Sequence, residues 1–215
     1  MDCGGIVLCG GQSSRMGLPK ATLPFGSEVM LARVVRLLGE VVEPIVVVAA
    51  DDQSLPVLPE RVTIARDRRP ARGPLEGLSA GLGSIGSQTD AVFVTSCDVP
   101  LLAPAFVRRM IELLGAHQIA VPSEGRFHHP LAAVYRTGVL PVVEELLADD
   151  ALRPAFLFER VDTRLVPVSE LRDVDPDLRT LANLNQPQDY LAALAAVGFE
   201  APPEVLTKLV EGKRP

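Results

Sequence analysis

The densest set of phosphate-binding groups in the chain is Leu8-Cys9-Gly10-Gly11-Gln12-Ser13-Ser14-Arg15-Met16-Gly17-Leu18-Pro19-Lys20. The run before it, Gly4-Gly5-Ile6-Val7-Leu8, reads as a buried strand. The chain therefore leaves a strand and turns through Gly10-Gly11, where missing Cβ atoms let backbone N–H groups come close to an anion. Ser13 and Ser14 add hydroxyl donors, and Arg15 and Lys20 add two cations, a set that suits a triphosphate. Two familiar alternatives fail on spacing. The G-x-G-x-x-G turn is absent, because Gly10 and Gly11 are adjacent and the next glycine is Gly17. A P-loop needs Gly-Lys-Ser/Thr, whereas Lys20 follows Pro19 and precedes Ala21. A bare glycine pair would more often be a plain connection, but hydroxyls and both cations directly after a buried strand reverse those odds.

A second candidate is Asp98, which follows the apolar run Ala91 to Ser96 and Cys97, and precedes Val99-Pro100. At the carboxyl end of a buried strand, an aspartate points into the crevice where open α/β sheets bind ligands. One carboxylate together with substrate phosphates is the usual way to hold Mg²⁺. The competing reading is a turn or cap aspartate ahead of the next helix. Between these landmarks lies Asp67-Arg68-Arg69-Pro70-Ala71-Arg72-Gly73-Pro74-Leu75-Glu76-Gly77-Leu78. Its arginines suit an anionic second substrate, although a solvated charged loop would account for two of the three. A carboxylate such as Asp67 can accept guanine N1–H and N2–H or ribose hydroxyls, and the residues alone do not choose between them.

The first stretch resembles the L-x-G-G-x-S-x-R-M-G-x-x-K signature of the molybdenum cofactor guanylyltransferase family, with Cys9 where Ala is usual. That family lies within a wider group of Rossmann-like nucleotidyltransferases. Related cytidylyl- and uridylyltransferases carry Ala-Gly at Gly10-Gly11, so the double glycine favours guanine. Cys97-Asp98 to Leu102 resembles the family's metal-binding strand end. The segment from Asp67 to Leu78 resembles its D-x(n)-G-P-L-x-G element, with Glu76 where Ala is common. The resemblance implies a nucleotide site at Leu8, Cys9, Gly10, Gly11, Lys20, Asp67, Gly73, Pro74, Leu75 and Asp98. Within it, Arg15, Lys20 and Asp98 are the catalytic set and Asp98 is the Mg²⁺ ligand.

Two weaker matches point to the acceptor. His129-Pro130-Leu131 resembles the family's H-P-L strand entry, and Asn183-Leu184-Asn185-Gln186-Pro187-Gln188-Asp189 its N-x-N-x-P-x-D element, with Gln186 for Thr. By the resemblance, His129, Arg153, Asn183 and Asn185 lie on the pterin side, with Asn185 closest to phosphates and metal. Taken alone, Asn-x-Asn-x-Pro is also a good helix start, with Asn185 as cap and Asp189 in the first turn.

The implied reaction is transfer of GMP from Mg·GTP to the terminal phosphate of molybdopterin, with release of pyrophosphate. The acceptor is already anionic, so positioning and charge neutralisation would carry catalysis without a general base. Three alternatives stay open: a cytidylyltransferase for the same pterin, a guanylyltransferase for another phosphorylated small molecule, or a non-catalytic cofactor carrier. Retention of Lys20 and Asp98 argues against the carrier. Transient contact with molybdoenzymes or their chaperones is a further expectation.

These groups must be positioned by a core, and the composition provides one. Of 215 residues, 47% are hydrophobic and only 4% aromatic, so Leu, Val, Ile and Ala must fill the interior. A net charge of −6 argues against a nucleic-acid partner held by general electrostatics. No signal peptide or membrane-length apolar run is present. Cys3, Cys9 and Cys97 lack metal spacing and read as free thiols in the cytoplasm, with Cys97 in the core.

Strands are expected at 4–8, 44–50, 62–65, 91–96, 119–121 (ended by Pro122), 131–135 and 164–168. Helices are expected at 29–38, 75–85, 104–114, 139–147, 186–196 and 203–210. Repeated βα units with apolar strands predict a mostly parallel sheet with helices on both faces. The resemblance makes this a Rossmann-like three-layer nucleotidyltransferase fold of class α/β. Residues 1–197 would form the catalytic domain and 198–215 a helical appendage.

Overall fold

The computed structural model describes residues 1–10, 16, 18–67, 69 and 72–211, with backbone only at 210 and 211. Its strands are β1 (Cys3–Leu8), β2 (Pro24–Phe25), β3 (Glu28–Val29), β4 (Ile45–Ala49), β5 (Val62–Arg66), β6 (Ala91–Ser96), β7 (Ile119–Glu124), β8 (Phe127–His128), β9 (Ala133–Arg136) and β10 (Thr163–Pro167). The helices are α1 (Met30–Leu38), α2 (Pro74–Ile85), α3 (Pro104–Leu114), α4 (Leu140–Ala148), α5 (Pro154–Arg160), α6 (Pro187–Ala195) and α7 (Pro203–Glu211).

One large sheet has the order β10-β7-β9-β6-β1-β4-β5, with β8 added to β7. The pairs β5–β4, β4–β1, β1–β6 and β7–β10 are parallel, while β9 runs antiparallel to both β6 and β7. The sheet is thus mostly parallel with helices on both faces, as the apolar strands predict.

Burial on both sides explains the continuous apolar strands. Val7, Cys9, Val47, Ala49 and Phe93 face one core with α1 and α3. Ile6, Leu8, Val46, Val48 and Val94 face the other with α2 and α4. Burying such a side chain stabilises by roughly 1.5–3 kcal/mol, so a polar residue on either face of β1 or β4 would be costly. Helix α2 lies unusually close to β1. A Cβ on Gly81 would come within 2.7 Å of Ile6 Cδ1, and one on Gly77 within 3.0 Å of Leu8 Cδ2. These two glycines, one turn apart, let α2 sit down on the strand and bring its amino end beside the end of β1.

A third core lies at one end of the molecule. Met16, Leu23, Phe25 and Met30 pack there with Leu184 and Tyr190 and with Val205 and Leu209 of α7. The buried Tyr190 hydroxyl donates to Pro24 O at 2.5 Å. The β2–β3 hairpin that follows Lys20 is therefore pinned by the carboxyl-terminal helices.

Most expected elements are present, β6 and α3 with the expected ends. Three differ. Strand β7 runs through Pro122 to Glu124, because β9 pairs with β7 only at Ile119 and Ala120. Beyond them, Pro122 needs only its carbonyl, which accepts from His129 N at 2.9 Å. The expected strand 131–135 begins later, at Ala133, since Pro130 to Ala132 form a 3-10 turn. Helix α5 and the β2–β3 hairpin were not foreseen. No helix among the described residues is long and apolar enough to cross a membrane.

Candidate active site

The strand order reverses between β1 and β6, which are direct neighbours whose next strands lie on opposite sides. Ligands of open α/β sheets bind at the carboxyl ends of strands at such a point. Leu8 ends β1 there and pairs with Ser96, the last residue of β6. The next residues, Cys9 and Cys97, are buried, and a hydrogen bond to Cys97 together with burial pushes the Cys9 thiol far above its ordinary range. Cys97 is core, as expected. The Leu8 and Cys9 side chains lie in opposite cores, Cys9 N donates to Val48 O at 2.7 Å, and Cys97 N donates to Leu8 O at 3.0 Å. These residues form the floor beneath Gly10.

Above that floor, three side chains from distant parts of the chain converge. Lys20 Nζ donates to Asp98 Oδ2 at 2.7 Å and to Asn185 Oδ1 at 2.8 Å. Asp98 is only 8% exposed. Its second oxygen, Oδ1, accepts a short hydrogen bond from Ser96 Oγ. Ser96 went unnoticed in the sequence, although a hydroxyl two residues ahead of a strand-end aspartate is the available signal.

Asn185 is held from several directions. Asp175 accepts from Arg179 N at 3.0 Å and Thr180 N at 2.9 Å, and Thr180 Oγ1 accepts from Ala103 N at 3.0 Å. Leu184 N then donates to Asp98 O at 3.0 Å. Asp189 Oδ2 accepts from Asn185 N at 3.0 Å and Gln186 N at 2.8 Å, and the Gln186 side chain completes a capping box for α6. The helix cap is therefore Gln186, which leaves the Asn185 amide free to face Lys20. Asn183 is exposed.

The residues expected to border the nucleoside gather at the start of α2. A Cβ on Gly10 would lie 3.0 Å from Asp67 Oδ2, and one on Gly77 would lie 3.7 Å from Asp67 Oδ1, so Gly10, Asp67 and the start of α2 adjoin. Burial, reinforced by the nearby Glu76 carboxylate, raises the Asp67 pKa above 3.8. Gly73 takes φ 74° as the cap of α2, and Pro74 and Leu75 form its first turn. Arg72 does not face an open ligand space. It donates to Leu147 O in a short bond, pairs with Asp150 Oδ1 at 3.2 Å and lies 3.7 Å from Glu76 Oε2. Arg69 is exposed. Gly11, Arg15 and Arg68 lie outside the described residues.

The acceptor candidates sit on the same edge of the sheet, farther along. Pro74, Leu75, Pro130, Leu131 and Pro154 line one shallow pocket, which brings the residues following His129 and Arg153 against the nucleoside loop. His129 is half-buried, its pKa lowered by that burial, and its ring stands edge-on to Phe127 with centroids 4.9 Å apart. Arg153 caps α5 with its backbone and is exposed. Among the described residues, no side-chain hydrogen bond joins either one to Lys20, Asp98 or Asn185.

The cluster fits a hard divalent cation. Asp98 and Asn185 offer two oxygen donors, and the Lys20 ammonium between them is itself a stand-in cation. Among the described residues no group of three or more His, Cys, Asp or Glu converges. A hard divalent cation held by so few protein oxygens would take water and substrate phosphates for the rest of its shell.

Residues 5–164 match the family model described as the MobA-like NTP transferase domain. The chain is 35% identical over 206 residues to a probable molybdenum cofactor guanylyltransferase of Methanosarcina acetivorans, covering 89% of this chain and 90% of that one. A protein of the same name from Mycobacterium avium is 36% identical, covering 91% and 96% of the two chains. Among solved structures, molybdopterin-guanine dinucleotide biosynthesis protein A of Archaeoglobus fulgidus superposes with a TM-score of 0.74 at 20% identity, over 91% of this chain and 98% of that one. A Mycobacterium tuberculosis protein in complex with manganese gives 0.66 at 17% identity, over 91% and 100%. With this fold, with a lysine, an aspartate and an asparagine gathered at the strand switch, and with these relatives, the chain belongs to the MobA-like NTP transferase family and is a nucleotidyltransferase.

Proposed function

We propose that this enzyme transfers GMP from Mg·GTP to the terminal phosphate of molybdopterin, forming the guanine dinucleotide cofactor and pyrophosphate. The observation that carries the reading is the convergence of Lys20, Asp98 and Asn185 at the crevice beside Gly10 and Asp67. The names of the relatives supply the acceptor and the base.

In this reading Gly10 leaves room for the phosphates, and Lys20 neutralises their charge. Asp67 receives donors of the nucleoside, and the turn Gly73 to Leu75 borders it. Asp98 and Asn185 would hold Mg²⁺, which when bound withdraws charge from the α-phosphate. Ser96 fixes the Asp98 carboxylate so that Oδ2 faces the reacting groups. Arg15 belongs to the catalytic set by resemblance alone. His129 and Arg153 flank the pterin, and catalysis rests on alignment and charge neutralisation. Residues 198–215 are read as an appendage, of which Val205 and Leu209 brace the hairpin after Lys20. The enzyme works in the cytoplasm, in transient contact with molybdoenzymes or their chaperones.

The test is pyrophosphate release with purified molybdopterin and each nucleoside triphosphate in turn. GTP should support turnover well above the others. Faster turnover with CTP would overturn the base assignment, and GTP turnover with other phosphorylated acceptors but not the pterin would overturn the acceptor.

A further inference from the structure

The Lys20 ammonium lies between Asp98 Oδ2 and Asn185 Oδ1, the two oxygens that would hold a divalent cation. Of the two Asp98 oxygens, Oδ1 is taken by Ser96 and Oδ2 by Lys20 at 2.7 Å. The Asn185 oxygen, the other hard donor, is also taken by Lys20, at 2.8 Å. Both ends of the ion pair are largely withdrawn from solvent, at 15% exposure for the Lys20 side chain and 11% for that of Asp98, so salt screens it little. Ser96 restrains the carboxylate from turning a free oxygen outward. A metal seated between Asp98 Oδ2 and the Asn185 oxygen would meet the ammonium there, so the two cations compete for one position. An incoming triphosphate, in contrast, is a better partner for it, and the flexible four-carbon stem of lysine allows the transfer without moving the backbone.

We propose that Lys20 acts as an internal cation that blocks the Asp98–Asn185 position, so that the site takes up a divalent metal tightly only once a triphosphate has drawn the ammonium away. Lys20 then determines binding order as well as phosphate charge. By linkage, the nucleotide and the metal each strengthen the other's binding through the same side chain. The inference rests on the reading of Asp98 as the metal carboxylate.

Two measurements on the full-length protein test it. The first is Mn²⁺ binding without nucleotide, followed by electron paramagnetic resonance of the free ion. Lys20→Met should bind Mn²⁺ about tenfold or more tightly than wild type, the order expected for freeing a carboxylate from a charge-assisted hydrogen bond. Adding Asp98→Asn should abolish the gain. The second, on the wild type, follows the Lys20 Nζ resonance by ¹⁵N NMR. Metal-free GTP should shift it, and Mg²⁺ alone should leave it in place. Equal Mn²⁺ affinity in wild type and Lys20→Met would overturn the proposal. So would a gain that survives Asp98→Asn, or an Nζ resonance that Mg²⁺ alone displaces. If affinities are equal while GMP transfer proceeds, only the blocking role falls. If neither protein binds Mn²⁺ and transfer is absent, the metal reading of Asp98 falls with it.

Discussion

The two ends of the candidate site are built in opposite ways. At the strand switch, Lys20, Asp98, Ser96 and Asn185 are joined by direct hydrogen bonds across sequence separations of 78 and 165 residues, on a floor of buried strand ends. On the expected acceptor flank, His129 is half-buried with its ring edge-on to Phe127, and Arg153 is exposed. On the proposed reading, the Asp98 carboxylate, tied by Ser96, and Asn185, tied by Asp189, are held before substrate arrives, with Lys20 as the part that moves, whereas the acceptor end would take its polar contacts from the substrate. Preorganised charge contributes most where charge develops during reaction. On that reading, rate would rest on one end and acceptor affinity on the other.

The contrast can be broken most forcefully at Asp98. Asp98→Asn should lower kcat by about 10²- to 10³-fold in the pyrophosphate assay at saturating Mg·GTP; near-normal turnover would remove Asp98 from the catalytic set. Ser96→Ala leaves every charge in place and loosens only the carboxylate, so it should cost about tenfold, recovered in part by raising Mg²⁺. A loss insensitive to Mg²⁺ would show that Ser96 serves the fold alone. His129→Ala and Arg153→Ala should each raise the KM for the pterin by about fivefold, the scale of an exposed charge contact, with the KM for GTP unchanged. An equal rise in both KM values would erase the division between the two ends.

The smallest effect concerns stability. Burial and the Glu76 charge raise the Asp67 pKa above 3.8. A carboxylate with a raised folded pKa favours the fold while protonated, below 3.8, and loses that contribution as pH rises through the raised value. Asp67→Asn should therefore raise Tm at pH 7 by about 1–2 °C while weakening GTP binding. The gain should vanish below pH 3.8, and a gain persisting there would assign it to packing.

The centre of the sheet was legible because β1 and β6 are apolar on both faces and lead to Gly10 and Asp98, so periodicity and strand-end chemistry agree. Lys20 and Asp98 could be named from residue type and position. Their mutual contact could not, since no local pattern relates residues that meet only through the sheet order. Asn185 shows the same limit more sharply: its sequence context fits a helix cap equally well, and only the Gln186–Asp189 capping box frees its side chain. Helix α5 was hidden for another reason, having seven residues and one fully buried side chain, Leu157. Pro122 misled because the cost of a missing N–H depends on whether a partner strand is present at that point.

Strand β9 has a consequence for how such a site can diversify. Because it runs against its neighbours, its entry turn, Pro130 to Ala132, arrives at the edge where β1 and β6 finish. Loops leaving the parallel strands must continue into the helices that build the cores, so their lengths are constrained. The turn into a reversed strand carries no such obligation. Insertions there would reshape the pocket shared by Pro130, Leu131 and Pro74 without disturbing the register of β1 and β6. On the proposed reading, acceptor choice would drift by loop length while the nucleotide chemistry is inherited intact.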